Sequence, residues 1–294
     1  MRFAATVLLW LATTVALAVA VPAAWAQANV VDADGYAAMA QQAAADPALQ
    51  SAVAGELTAR ATALITQHGG GRNPVDSAQV RAVASAFTAG REFPPLFAQL
   101  NRAAHAWLCT DPRSGQNGDQ WVIDVAPMLK DSSFQEILRS HDVSVPAQLT
   151  VPLTVSVPGL SQPLRQGQLS RLATWGPRVS IGAAAVTVVC ALLTLAAARR
   201  RGKALTGLGV SALLVGAAGW TGIEVGNRYI TNALNGTTGD VRRIGEVMVG
   251  HAEASLHQWL NLTLIAGAAL VVFGVLVAML GSVLRPKQPA LTAR

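Results

Sequence analysis

The sequence predicts a mainly α membrane protein: four transmembrane helices, with a helix-rich α+β extracytoplasmic domain inserted between the first and second. Three observations predict it. Four uncharged runs, at 3–26, 179–198, 204–223 and 260–284, each match the roughly 17–25 residues that cross a bilayer as a helix. Only 13% of the 294 residues are charged, against 52% hydrophobic, where a soluble domain carries about 25% charged residues. Finally, the basic residues are unevenly placed. Arg2, Arg199, Arg200, Arg201, Lys203, Arg285, Lys287 and Arg294 lie beside the ends of the runs with no acidic residue among them, the pattern of short cytoplasmic segments.

That unevenness fixes the expected orientation. The turn holding Arg199, Arg200, Arg201 and Lys203 is the topology determinant and is placed in the cytoplasm, as are both chain ends. Trp25, Trp175, Trp220 and Trp259 then all fall at outer span ends, as an interfacial aromatic belt requires. Residues 27–173 hold 10 basic and 12 acidic residues. The net charge of +6 therefore reports topology rather than a basic nucleic-acid-binding face, and no nucleic-acid partner is expected.

The first run ends in Ala24-Trp25-Ala26, which has the small-x-small form of a signal-peptidase site. The run is longer than the roughly 7–15 residues of a signal core, so it reads as an uncleaved anchor, residues 1–27. The expected domain follows at 28–172. Three spans with an outer helical hairpin around 224–257 fill 173–284, and a cytoplasmic tail occupies 285–294. Cys109 falls in the domain and Cys190 in a span, so packing and not a disulfide must hold the domain together.

Within the domain, Asp46-Pro47 and Asn73-Pro74 read as an N-cap followed by proline in the first helical turn. Leu49, Val53, Leu57 and Leu64 then share one helical face, as do Val80, Val83 and Phe87. Phe93-Pro94-Pro95 opens a third helix with Leu96, Leu100 and Trp107 as its expected buried stripe. Residues 120–125 and 151–157 alternate apolar and polar and read as strands, with a helix at 127–139 between them. The HGGGRNP run at 68–74 lacks the Lys-Ser/Thr ending of a phosphate loop and reads as a turn. No cofactor is expected.

Two polar groups stand out. Asn101 and His105 are four apart on one helix and can touch, with Arg102 on a neighbouring face. A cluster fixing the helix against the strands is the simpler reading; the alternative is a polar site for a sugar or anionic lipid. A lone histidine with no nucleophile or metal partner is not a catalytic set. Glu253 and His257 form a similar pair above the last span, with His251 nearby, but two ligands are fewer than a catalytic zinc takes. Glu224 and Arg228 read as an ion pair. Gly207, Ser211, Gly216, Gly219, Gly267 and Gly274 predict close helix packing in the membrane.

The order of motifs is that of a known architecture. Val31-Asp32-Ala33-Asp34-Gly35-Tyr36, Asp46-Pro47-Ala48-Leu49-Gln50, Phe93 through Asn101-Arg102-Ala103-Ala104-His105, Val122-Ile123-Asp124-Val125-Ala126-Pro127 and Arg199-Arg200-Arg201 together resemble an uncharacterised family of actinobacterial multi-pass integral membrane proteins. The resemblance implies one N-terminal span, an outer domain and three further spans, and it implies no activity. This chain departs from the family pattern by having Phe97, and no tryptophan, close before the Asn-Arg pair. The expected function is that of a non-enzymatic envelope protein in the lipid bilayer, its outer domain binding a membrane or cell-wall component, a protein partner or a second copy. An outer-facing enzyme on lipid or glycan is the alternative, and a small transporter ranks third.

Overall fold

In a computed structural model the fold is described for residues 2–68, 76–109, 122–124, 128, 132–140, 150–152, 167, 169–198, 201–234 and 239–283. These are almost all helical. Helix α1 (Arg2–Ala26) runs into a π-helix (Gln27–Val31), followed by α2 (Ala33–Ala43), α3 (Pro47–His68), α4 (Ser77–Thr88), α5 (Phe93–Cys109) and α6 (Ser132–Ser140). The last three helices are α7 (Ser170–Ala197), α8 (Arg201–Leu234) and α9 (Gly239–Val283). Four of them, α1, α7, α8 and α9, are long and apolar enough to cross a membrane, so this is a multi-pass membrane protein.

The expected α+β domain is not what forms. Among the described residues the extended chain amounts to β1 (Val122–Asp124) antiparallel to β2 (Thr150–Pro152), three residues each. A ribbon this short cannot make a layer on which helices pack, and Pro152 has no N–H to extend it. The apolar core formed by the described side chains is built from helices. The correction is to a helical domain.

Two compact units emerge. One comprises Ala26–Gly176 and Val225–Ser255, the other Met1–Trp25, Pro177–Glu224 and Leu256–Arg294. In the first unit, α3 is the central helix. Asp46 caps it, its carboxylate accepting from the Ala48 N–H at 2.8 Å. Leu49, Val53, Leu57 and Leu64 are all buried, together with Ala54, Ala61 and Ile65. The small Ala54 and Ala61 let helices approach on several sides. Helix α4 is capped by Asp76, which accepts from Ala78 and Gln79 N–H; the expected cap, Asn73-Pro74, lies outside the described residues.

The stripe expected on α5 is displaced by about a quarter turn. Phe93 and Phe97 are buried, whereas Leu96 and Leu100 only flank the core and Trp107 is half-buried. The phenylalanines win because they meet other rings: Phe93 stands edge-on to Phe87 at 6.0 Å, and Phe87 likewise to Phe134 of α6 at 5.6 Å. Ile244, Val247 and Met248 of α9 complete this core, and Asp240 sits where a side chain at Gly55 would be.

In the second unit, the seam between α8 and α9 is made of glycine. A Cβ at Gly209 would lie 2.6 Å from the Gly267 carbonyl oxygen, one at Gly202 would strike Ala278, and one at Gly274 would strike Thr206. Gly202, Gly209 and Gly216 are seven apart, so they share one edge of α8. Gly207 and Ser211 point to α1 instead: the Trp10 indole donates to the Gly207 carbonyl at 2.8 Å, and the Thr14 and Ser211 hydroxyls pair at 2.8 Å. Of the topology determinants, Arg201 and Lys203 open α8 and are exposed, and Arg199 and Arg200 lie outside the described residues.

Without a hydrophobic driving force in lipid, such close contact is what holds helices together. Gly209→Ala is expected to destabilise the protein by about 1–3 kcal/mol through overpacking. Gly222→Ala, on the same helix with nothing within 4 Å of the added carbon, is expected to be neutral or to stabilise by up to about 1 kcal/mol. Thermal unfolding in detergent checks the pair, and equal shifts would refute the seam.

Candidate functional site

The polar cluster on α5 is built against the chain segment that follows α1. The π-helix closes with the Asp32 N–H bonded to the Gln27 carbonyl at 2.9 Å, and Asp32 then turns extended (φ −72°, ψ 124°). That turn ends the helix and leaves its last carbonyls without intrahelical donors. Asp32 also caps the next helix, accepting from the Asp34 N–H at 3.0 Å. Helix α2 folds back so closely that a Cβ on Gly35 would stand 1.7 Å from the Ala28 carbonyl oxygen. Only glycine fits there.

Asn101, Arg102 and His105 all meet this segment. His105, 8% exposed, places Nε2 2.8 Å from the Val30 carbonyl oxygen. A carbonyl only accepts, so the proton is assigned to Nε2, which donates. The bond supplies one of the donors that the helix end lacks. The imidazole lies against the Tyr36 ring, centroids 5.2 Å apart. Asn101 donates through Nδ2 to the Phe97 carbonyl at 2.9 Å and accepts a long 3.5 Å contact from the Tyr36 hydroxyl. Arg102 pairs with Asp34 in an exposed ion pair.

Two residues not singled out from sequence belong to the cluster. Tyr36 is one; its signal was Gly35 in the first turn of a helix, a residue type that marks close backbone approach. Cys109 is the other, one turn beyond His105, with Sγ 3.5 Å from Nε2. This is not a cysteine–histidine nucleophile pair. The nitrogen nearest the sulfur already donates to Val30, and burial pushes the Cys109 thiol above its ordinary value, so it stays protonated. Burial, and secondly the neighbouring Cys109, also raise the Tyr36 phenol.

The residues near the second pair are engaged separately. Glu253 accepts from Asn227 Nδ2 at 3.4 Å, and His251 Nδ1 donates to the Val247 carbonyl at 3.1 Å. His257 packs on the Trp220 ring at 4.1 Å, with the indole donating to Asn261 at 3.3 Å. Among the described residues, no three His, Cys, Asp or Glu side chains are placed to hold a metal ion.

Fold and cluster together define a multi-pass membrane protein with a second, helical unit whose buried polar side chains fasten its own backbone. No protein-family model, curated protein or solved structure matches the chain.

His105→Ala is expected to cost about 1–3 kcal/mol, because it orphans a buried carbonyl. Arg102→Ala is expected to cost under about 1 kcal/mol, because its pair is exposed. Unfolding in detergent ranks them, and a larger loss for Arg102→Ala would overturn the assignment. The folded state favours neutral Tyr36, so its contribution is intact below the unfolded value near pH 10 and is lost as pH rises through the higher folded value. Tyr36 and Tyr229 are the 2 tyrosines of the chain. In Tyr229→Phe protein, tyrosinate absorbance should therefore appear above the ordinary titration range, and appearance at or below pH 10 would contradict the burial.

Proposed function

We propose that this is a non-enzymatic envelope protein, held in the bilayer by its four spans, whose helical unit lies on the extracytoplasmic side and binds a membrane or cell-wall component. The observation that supports it is the employment of the cluster: His105, Asn101 and Arg102 each hold the fold, which weighs against His105 as the general base of a lipid- or glycan-directed enzyme. A base must reach a substrate proton, and the Nε2 of His105 is turned onto Val30. The spans carry no ionisable residue in their uncharged runs, which weighs against an ion pathway. The orientation rests on the charge bias and the four interfacial tryptophans.

Two experiments test the reading. In a Cys109→Ser background, a membrane-impermeant maleimide should label Ser85→Cys in intact cells and leave Lys203→Cys unlabelled until the cells are opened; the reverse pattern would invert the orientation. Cross-linking in living cells, followed by mass spectrometry, should capture a partner, or a second copy, that is lost when residues 28–172 are deleted. A chain recovered only as a monomer would count against binding.

A further inference from the structure

The bond after Ala26 is where a signal peptidase would cut, if Ala24-Trp25-Ala26 served as a leader terminus. The backbone there is helical on both sides. Helix α1 includes Ala26, whose φ of −61° and ψ of −39° carry the chain directly into the π-helix. Peptidases hold their substrate extended, and nicking concentrates in exposed, unpaired chain. Extending this stretch means unwinding the π-helix, whose Val30 carbonyl is held by His105 and whose Ala28 carbonyl lies against Gly35.

The helix before the motif is equally occupied. A leader that departs needs no particular neighbour. Helix α1 instead bonds to α8 through Trp10 and Thr14, and it buries Thr13 and Ala20. Ser211, the partner of Thr14, is fully buried. A segment fitted in this way is a member of the bundle.

We infer that the Ala24-Trp25-Ala26 motif is a masked processing site: the folded chain keeps it helical and uncut, and α1 remains as a permanent transmembrane helix. The inference is independent of what the helical unit binds.

The test is the intact mass of the full chain, tagged at its C-terminus and purified from membranes. Residues 1–26 should be present. A chain beginning at Gln27 overturns the inference while leaving the binding experiment untouched. The masking itself is tested with the full-length triple variant Trp10→Ala, Ser211→Val, His105→Ala, which removes both bonds to α8 and the hold on Val30. Loss of residues 1–26 from a large share of this variant supports masking by the fold. An equally intact variant overturns it, because the motif would then resist cutting without the contacts named here.

Discussion

Everything on the α2–α5 side of the helical unit depends on one hydrogen bond, from His105 to the Val30 carbonyl. A helix leaving a membrane segment must end, and its last carbonyls then need donors that a dry protein interior does not supply. The π-helix and the extended Asp32 end it abruptly, and the imidazole provides the donor from a different helix. Around that bond the remaining contacts fall into place. Gly35 allows α2 to fold back, Tyr36 covers the imidazole, and Asn101 reaches the phenol. The exposed Arg102–Asp34 pair fixes register at the rim and adds little energy.

The membrane unit solves the opposite problem. Its backbone is satisfied within each helix, so the task is attraction between surfaces that lipid would cover equally well. Glycines remove side chains along the α8–α9 seam, and backbone meets backbone. On the α1 side, a tryptophan and two hydroxyls add directed bonds. One unit is thus organised by an obligation to satisfy polar groups, the other by the absence of atoms.

How much of this was legible depends on the range of the interaction. The face of α3 with Leu49, Val53, Leu57 and Leu64 could be read directly, because helical spacing is local. So could the cap at Asp46 and the four spans. The α+β class was misread: among the described residues the expected strands amount to one three-residue ribbon, and helices build the core. On α5, spacing alone could not choose Phe93 and Phe97 over Leu96, since Phe93 meets the Phe87 ring of α4 and Phe97 packs on Phe93. The Asn101–Arg102–His105 group was visible as a cluster, yet its partner was not. Val30 lies 75 residues away and contributes only a carbonyl, which every residue has. Gly202 and Gly209 went unmarked because a glycine in a span declares its purpose only when the opposing helix is known.

The participation of α9 in the first core has a consequence for synthesis. Ile244, Val247 and Met248 pack on a core whose first residues, on α3, are made nearly two hundred positions earlier, with two spans, α7 and α8, intervening. Until they arrive, that core lacks one of its sides. The unit therefore cannot finish folding as it emerges, in the vectorial order usual for an N-terminal domain. It must wait as an open half-core while the rest of the chain is threaded into the bilayer. A chain stalled before α9 therefore leaves apolar core surface uncovered.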